Sequence, residues 1–368
     1  MLLALRPVLA LLLAVPLRAF AQQPGSPLLG APQEPTSAPS SSLEALPRPR
    51  LDLSASTRAE GGDGRTDRLA IYRAGLRLAF SVADGWRLGV SREAVLYDNS
   101  DRDRLDLVGG YDVEHTPNED QEFRLRFENH TEGDAEQSFT GAGEARARVS
   151  DALTLHAGIA RAFVEESLFS AVGENSYLGR AGQVRSNLLS VGADFDGASA
   201  DAHALAFAGV NEGVRVPTNV RWGASFDAGW SPMHPEGGAA LPRIRAGWRG
   251  DVAGFHKDAS GFVNFPRPAG VALGGYFSPQ LWMRHELTLS VSSQIGTNTR
   301  AEIGGGYGLE QADSATTAFS EPRSASRASA RLESRLASGF AVGVSYQFDD
   351  GGAAVREHVG MITLRIDF

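Results

Sequence analysis

The amino-acid sequence predicts an all-β protein: a transmembrane, antiparallel, up-and-down β-barrel of about 16 strands with both termini in the periplasm. Three observations support this fold class. Segments of roughly ten residues alternate apolar and polar side chains from about residue 50 to the C-terminus. Tight turns and longer polar connections follow one another between these segments. After residue 21, no stretch approaches the roughly 18 apolar residues that indicate a membrane-spanning helix.

The first 21 residues predict a cleavable secretory signal peptide. Arg6 is followed by the apolar run Pro7–Leu17 and by the small-x-small site Ala19-Phe20-Ala21. The chain contains no cysteine, which excludes a lipoprotein anchor, disulfides and thiolate chemistry. Residues 22–49 are rich in Pro, Ser, Gln and Ala and predict a disordered periplasmic tether. We therefore expect residues 50–368 to form the barrel domain.

The two-residue period is clearest near the C-terminus. Five apolar side chains alternate with small or polar ones from Phe340 to Phe348, and the last segment repeats the pattern from Ile362 to Phe368. The same alternation occurs in the segments Phe123–Glu128, Val220–Trp230 and Glu286–Val291. In a transmembrane barrel such alternation places one set of side chains in lipid and the other in the lumen.

The connections predict a polarity for the barrel. Short periplasmic turns and longer external loops are typical of outer-membrane barrels, so we expect the protein in the bacterial outer membrane. The predicted tight turns are Val82–Gly85, Pro117–Asp120, Ser150–Ala152, Asp196–Ala200, Ile295–Asn298 and Ala337–Gly339, with a longer one at Ser231–Pro242. The predicted long connections are Glu60–Asp67, Tyr97–Asp103, Thr131–Gln137, Glu165–Gln183, Gly213–Asn219, Lys257–Tyr276, Ala312–Pro322 and Asp349–Val355.

The sheet is expected to close on itself, because hydrocarbon offers no hydrogen-bond partner to an open strand edge. The first strand, at Leu51 and Leu53, should therefore pair with the last one. Leu364, Ile366 and Phe368 end the chain on an alternating, aromatic-terminated strand. This ending resembles the C-terminal signal by which outer-membrane barrels are recognised for insertion. The expected partners are outer-membrane lipid and the barrel-assembly machinery.

Charged side chains of both signs fall on the predicted lumen face. They suit cross-strand ion pairs in a water-filled pore, and they equally suit hydrogen bonding to the hydroxyl groups of a passing sugar chain. The net charge of −9 argues against nucleic acid as a partner. The lumen candidates are Arg124, Arg126, Glu128, Arg284, Glu286, Arg331, Glu333 and Arg335.

One predicted external loop is rich in aromatic residues interleaved with Gly and Pro. Such a loop can stack on sugar rings, or it can fold into the pore and pack on itself, and the residue chemistry alone favours the second arrangement. The candidates for pore-loop or sugar contacts are Phe262, Phe265, Tyr276, Phe277, Ser278, Gln280 and Trp282.

The segment Gly274-Gly275-Tyr276-Phe277-Ser278-Pro279-Gln280, followed by a strand, resembles the C-terminal domain of the cellulose synthase operon protein C family. The resemblance extends over roughly residues 180–368. It implies a sixteen-stranded porin through which a cellulose-like exopolysaccharide passes passively to the cell surface. Residues 265–273 depart from the family pattern, and residues 22–49 stand where the family carries periplasmic helical repeats. A separate periplasmic scaffold protein is therefore an expected partner.

Other classes of protein compete with this interpretation. A general diffusion porin or a structural barrel is the main alternative, and an outer-membrane hydrolase, an autotransporter translocator or a secreted β-sandwich is a weaker one. The histidines are scattered and stand in no short motif with Ser or Asp, and no Gly-x-Ser-x-Gly or His-Glu-x-x-His motif is present. We therefore expect no catalytic residue, no cofactor and no metal site.

Overall fold

The protein is an all-β structure in the computed structural model. No helix among its described residues is long and apolar enough to cross a membrane. The structure describes residues 49–61, 69–98, 103–132, 137–165, 170, 174–176, 179–232, 242–257, 278–313, 321–351 and 356–368. The predicted signal peptide and almost all of the predicted tether lie outside these residues.

Seventeen strands follow one another along the described chain. Sixteen of them form the wall of a barrel, and the three-residue strand β8 pairs only with β9. The strands are β1 Arg50–Gly61, β2 Ala70–Ala83, β3 Trp86–Asp98, β4 Asp103–Asn118, β5 Gln121–Glu132, β6 Gln137–Ser150, β7 Leu153–Phe163, β8 Glu174–Ser176, β9 Gly179–Asp196, β10 Ala200–Val214, β11 Val216–Trp230, β12 Arg243–Phe255, β13 Leu281–Ile295, β14 Thr299–Asp313, β15 Arg323–Ala337, β16 Phe340–Asp350 and β17 Arg356–Asp367.

The sheet closes through its first and last strands, as the sequence predicts. Leu53 of β1 lies opposite Leu76 of β2 on one side and opposite Leu364 of β17 on the other. Each of the remaining wall strands pairs antiparallel with the wall strands before and after it in the chain. Because β8 is not part of the wall, β7 pairs directly with β9. The wall therefore has no free edge, which satisfies the backbone polar groups inside a membrane.

The alternation of side chains gives the barrel an apolar outer face. Phe123, Leu125 and Phe127 of β5 are exposed, and Leu287 of β13 is 73% exposed. Exposure of so many large apolar side chains would be unfavourable in water, but it suits contact with lipid. The charged neighbours of these residues point into the lumen instead.

Arg92 is an exception on this apolar face. It shares the outward parity of Leu88 and Val90 on β3, and it lies opposite the exposed Leu76 of β2. Its other neighbour in register is Gly109. Within the described chain its guanidinium has no ion-pair partner. A charged group is therefore placed among lipid-facing apolar side chains.

Six of the predicted tight turns are confirmed at one end of the barrel, here called the short-turn end, whereas most of the longer connection Ser231–Pro242 lies outside the described residues. Both the start of β1 and the end of β17 lie at this end. Gly85 has a φ of 70° and Gly339 a φ of 80°, a conformation that favours glycine. A Cβ at Gly339 would also lie 2.7 Å from the carbonyl oxygen of Asp367. The opposite end of the barrel is called the loop end.

The prediction of a long connection at Gly213–Asn219 is wrong. β10 and β11 continue to Val214 and Val216 and are joined by a tight turn at Arg215, whose φ is 56°. The polar residue Asn219 is buried within β11, where its side-chain amide both donates to the carbonyl oxygen of Lys257 and accepts from the Lys257 N–H. Because these hydrogen bonds satisfy the buried amide, the strand extends through a sequence that is typical of a loop.

Candidate functional site

The lumen is the candidate site, and its lining is built mainly from paired charges. Arg126 Nη2 lies 2.6 Å from Glu128 Oε1 on the same strand, and Arg331 Nε lies 3.1 Å from Glu333 Oε1. Arg335 is exposed near the short-turn end. These contacts run between residues i and i+2 of one strand, because alternate side chains share a face. The ion pairs of the lining therefore join residues of one strand as well as residues of different strands, and only the second arrangement was predicted.

Arg124 belongs to a cross-strand group. Its Nη2 lies 3.3 Å from Glu122 on β5 and 3.7 Å from Glu114 on β4, and Arg87 of β3 lies 3.5 Å from the same Glu114. Other cross-strand pairs join Arg77 to Asp112, and Arg245 to Asp201 and Asp227. The inner wall thus carries many charges but little local excess of either sign.

The most deeply buried charges lie toward the loop end of β13–β16. Arg284 donates to Glu286 and to Asp349, each at 2.5 Å, and its side chain is 1% exposed. The Glu310 carboxylate lies 3.8 Å from Arg284, and Arg327 donates to Asp349 at 3.0 Å. We call these five residues, Arg284, Glu286, Glu310, Arg327 and Asp349, the buried charge cluster. Burial of one guanidinium against several carboxylates makes each member dependent on the others.

A second group closes part of the lumen near the loop end. Glu165 follows β7, yet its carboxylate accepts hydrogen bonds from Arg73 of β2 at 2.5 Å and from Tyr97 of β3 at 2.9 Å. Because β4, β5 and β6 separate β3 from β7 around the wall, the chain after β7 must turn into the barrel to make these contacts. We call Glu165, Arg73 and Tyr97 the lumen latch.

Electrostatics favour the ionised form of the latch carboxyl. Burial alone would raise the pKa of Glu165, but Arg73, with smaller contributions from Arg58 and Tyr97, outweighs burial and holds this pKa below its usual value of 4.5. The latch is therefore intact at neutral pH.

Apolar side chains pack inside the barrel beside the latch. One buried cluster lies on β2–β4 around Tyr97, and another includes Val164, which precedes Glu165. Together with the latch they narrow the described part of the lumen near the loop end. The first cluster contains Leu69, Ile71, Val95, Tyr97 and Val108, and the second contains Val164, Val184, Val216, Ala253, Phe255, Trp282 and Ala312.

The predicted aromatic loop is only partly within the described residues. Phe262, Phe265, Tyr276 and Phe277 lie outside them, so their contacts with sugar or with the pore stay predictions. Ser278 is buried, Gln280 is exposed with its backbone N–H bonded to Asp313, and Trp282 is buried in the second apolar cluster.

Sequence reasoning missed several residues of the lumen. Glu310, Arg327 and Asp349 complete the buried charge cluster, and Arg73, Tyr97 and Glu165 form the latch. All of these residues except Glu165 lie on wall strands, and their position in the two-residue alternation places them on the inner face. The alternation could therefore have identified them as lumen residues. Which inner residues meet across the barrel depends on register and on the path of the chain after β7, and no local pattern in the sequence encodes that.

A closed 16-stranded sheet with an apolar outer face and a charged inner face defines an outer-membrane β-barrel. The sequence of residues 130–359 matches the family model described as cellulose synthase operon protein C C-terminus. The match covers more than half of the chain, so this protein belongs to that family. The match to the family model begins at residue 130, whereas the resemblance noted in the sequence begins at about residue 180. No sequence among the curated proteins matches the chain.

Comparison with solved structures gives matches at very low sequence identity, and one of them, with a TM-score above 0.5, shares the barrel fold. A bacterial polysaccharide outer membrane secretin superimposes with a TM-score of 0.64 and 10% identity, covering 88% of this chain and 100% of that one. CdiB from Acinetobacter baumannii gives a TM-score of 0.47 at 10% identity, over 88% of this chain and 61% of the other. OmpT of Vibrio cholerae, lacking loop L8, gives 0.41 at 12% identity, over 88% and 100%.

Proposed function

We propose that this barrel is an export porin through which an exopolysaccharide, cellulose-like in its chemistry, passes from the periplasm to the cell surface. Membership of the cellulose synthase operon protein C family is the observation that carries the proposal. The similarity in fold to a polysaccharide outer membrane secretin agrees with it. In this proposal transport is passive and no residue of the chain is catalytic.

The charge balance of the lumen suits a neutral polymer. Guanidinium groups such as Arg77 and Arg245 are already bound to carboxylates of the wall, so the lining presents hydrogen-bonding groups without a strong field of one sign. A hydroxyl-rich chain can exchange hydrogen bonds with such a wall as it moves. A uniformly charged lining would instead select small ions.

Part of the lumen wall carries only glycine and serine, which leaves room for a polymer to move along it. Gly304, Gly306 and Gly308 share the inner face of β14, since the intervening Gly305 and Tyr307 have the outer parity. Ser329 of β15 lies opposite Gly304, and Ser290 of β13 lies on its other side. Small side chains leave width for a sugar ring, and the two hydroxyl groups keep the strip polar.

The partners in this proposal are the polysaccharide chain and a periplasmic scaffold protein. The scaffold would meet the short-turn end, which faces the periplasm if the barrel follows the usual polarity. The aromatic residues Phe262, Phe265, Tyr276 and Phe277 would contact the polymer or line the outer mouth.

Deletion of the gene tests the proposal. We expect the amount of surface polysaccharide to fall while the uptake of small solutes stays normal, and expression of the wild-type chain to restore the polymer. Reduced solute uptake with normal polysaccharide would contradict export and would support the alternative, a general diffusion porin. Staining of the polymer and a solute-uptake assay on the same strains separate the two functions.

A further inference from the structure

Three potential metal ligands lie together on the lumen wall near the short-turn end. His156 is near the start of β7, Asp194 near the end of β9 and His203 near the start of β10. These three strands are consecutive in the wall. We propose that His156, Asp194 and His203 bind a divalent transition-metal ion, Zn²⁺ being the simplest probe.

The geometry is close to that of a metal centre. One ligand atom from each residue lies within 4.8 Å of the others, and His156 Nε2 is 3.9 Å from Asp194 Oδ2. His203 Nδ1 is hydrogen-bonded to Asp194 Oδ1. Zinc binds such atoms at about 2.0–2.2 Å in a tetrahedron, which places ligand atoms roughly 3.4 Å apart. Side-chain shifts of about 1 Å therefore complete the site.

The position of the His156 ring also indicates a ligand. Its Nε2 atom is buried and has no hydrogen-bond partner. The ring lies over Gly192, where a Cβ would overlap both Cε1 and Nε2, and it stacks on the His203 ring with centroids 5.6 Å apart. A buried imidazole nitrogen without a partner is unfavourable, and a metal ion at this position would satisfy it.

The donor set selects the class of ion. Two imidazoles and one carboxylate suit Zn²⁺, Cu²⁺ or Ni²⁺, whereas Mg²⁺ and Ca²⁺ prefer oxygen ligands alone. Arg146 lies opposite His156 in register, but its guanidinium is bound to Glu144 at 2.8 Å, which reduces its repulsion of a cation. Asp194 and His203 are open to the lumen, so water can complete the coordination.

The three ligands come from separate strands, so no short motif in the sequence predicts the site. For that reason we expected no metal site from the sequence alone. A bound ion would connect β7, β9 and β10 at one level of the wall. This inference depends only on the barrel fold, and it stands whether or not the pore exports a polysaccharide.

Calorimetric titration of Zn²⁺ into the purified full chain, folded in detergent and carrying no polyhistidine tag, tests the proposal. We expect one ion per chain, binding weakened at least tenfold in His203→Ala and in Asp194→Asn, and no comparable binding of Mg²⁺. His358→Ala is the matched control, because His358 lies on the outer face next to Tyr346 and should leave the affinity unchanged.

Thermal unfolding gives a second measurement that does not depend on the calorimeter. Zn²⁺ should raise the unfolding temperature of the wild type and of His358→Ala, and it should leave the unfolding temperature of His203→Ala unchanged. His203 is partly exposed, so this variant is expected to fold. Equal Zn²⁺ affinity in the wild type and in His203→Ala, or no binding by the wild type, would overturn the proposal.

Discussion

Replacement of Arg284 by methionine should strongly destabilise the barrel. The Arg284 guanidinium is 1% exposed and contacts Glu286 and Asp349 at 2.5 Å, while the Glu286 side chain is fully buried. Methionine retains much of the volume but removes the guanidinium nearest to Glu286, and it leaves Arg327 as the remaining cation beside Asp349. Removal of one partner from a buried ion pair costs about 3–5 kcal/mol, so we expect the free energy of unfolding to fall by roughly that amount.

The measurement is urea-induced unfolding of the chain in detergent, followed by tryptophan fluorescence and by the heat-dependent migration of folded barrels in gels. Arg331→Met is the matched control, because the Arg331–Glu333 pair is 35% and 49% exposed and should contribute less than about 1 kcal/mol. The double variant Arg284→Met/Glu286→Leu should recover part of the loss. If Arg284→Met were no less stable than the control, the buried charge cluster would not have the interdependence described here.

Three further predictions follow from single positions. Glu165→Gln should open the latch and raise the single-channel conductance in planar bilayers, with Glu144→Gln as the control. Because the pKa of Glu165 is lowered in the fold, the stabilising contact is present at neutral pH and is lost by protonation below pH 4.5, so the wild-type conductance should rise there. Arg92→Leu should stabilise the barrel by about 2–4 kcal/mol in urea unfolding in lipid, whereas the lumen variant Arg87→Leu should not. Gly306→Trp should reduce polymer export with little change in the amount of folded barrel, as shown by surface polysaccharide and gel migration.

Each of these predictions has a clear contrary outcome. Unchanged conductance in Glu165→Gln, or identical behaviour of Glu144→Gln, would mean that the latch does not narrow the conducting path. A loss of stability in Arg92→Leu would show that the guanidinium has a favourable partner in the membrane. Normal export by Gly306→Trp would place the polymer away from β14.

Much of the wall could be predicted from the sequence, because a strand's side chains alternate with a period of two residues and the membrane enforces that pattern over every crossing. The faces of β5, β13 and β16 and the tight turn at Gly339 follow from local composition. The closure of β1 on β17 follows from the cost of unpaired backbone groups in hydrocarbon. These features depend on neighbours along the chain or on the solvent alone.

Contacts across the lumen could not be predicted in the same way. The strand through Asn219 depends on hydrogen bonds to Lys257, which follows the end of β12, and local composition favoured a loop there. The pairing of Glu165 with Arg73 depends on where the chain turns after β7. Arg284 and Asp349 lie on strands that are not neighbours. Such contacts are set by register and curvature of the whole barrel.

The most direct test of export through this lumen uses the absence of cysteine from the chain. Ser329→Cys places one thiol on the inner face of β15, and Ala330→Cys places it on the outer face of the same strand. Cells that secrete the polymer are treated with a bulky thiol reagent, and the rate of polymer release is measured. We predict that release falls sharply in Ser329→Cys and is unchanged in the wild type and in Ala330→Cys. Unchanged release from fully labelled Ser329→Cys cells would contradict a path through the barrel.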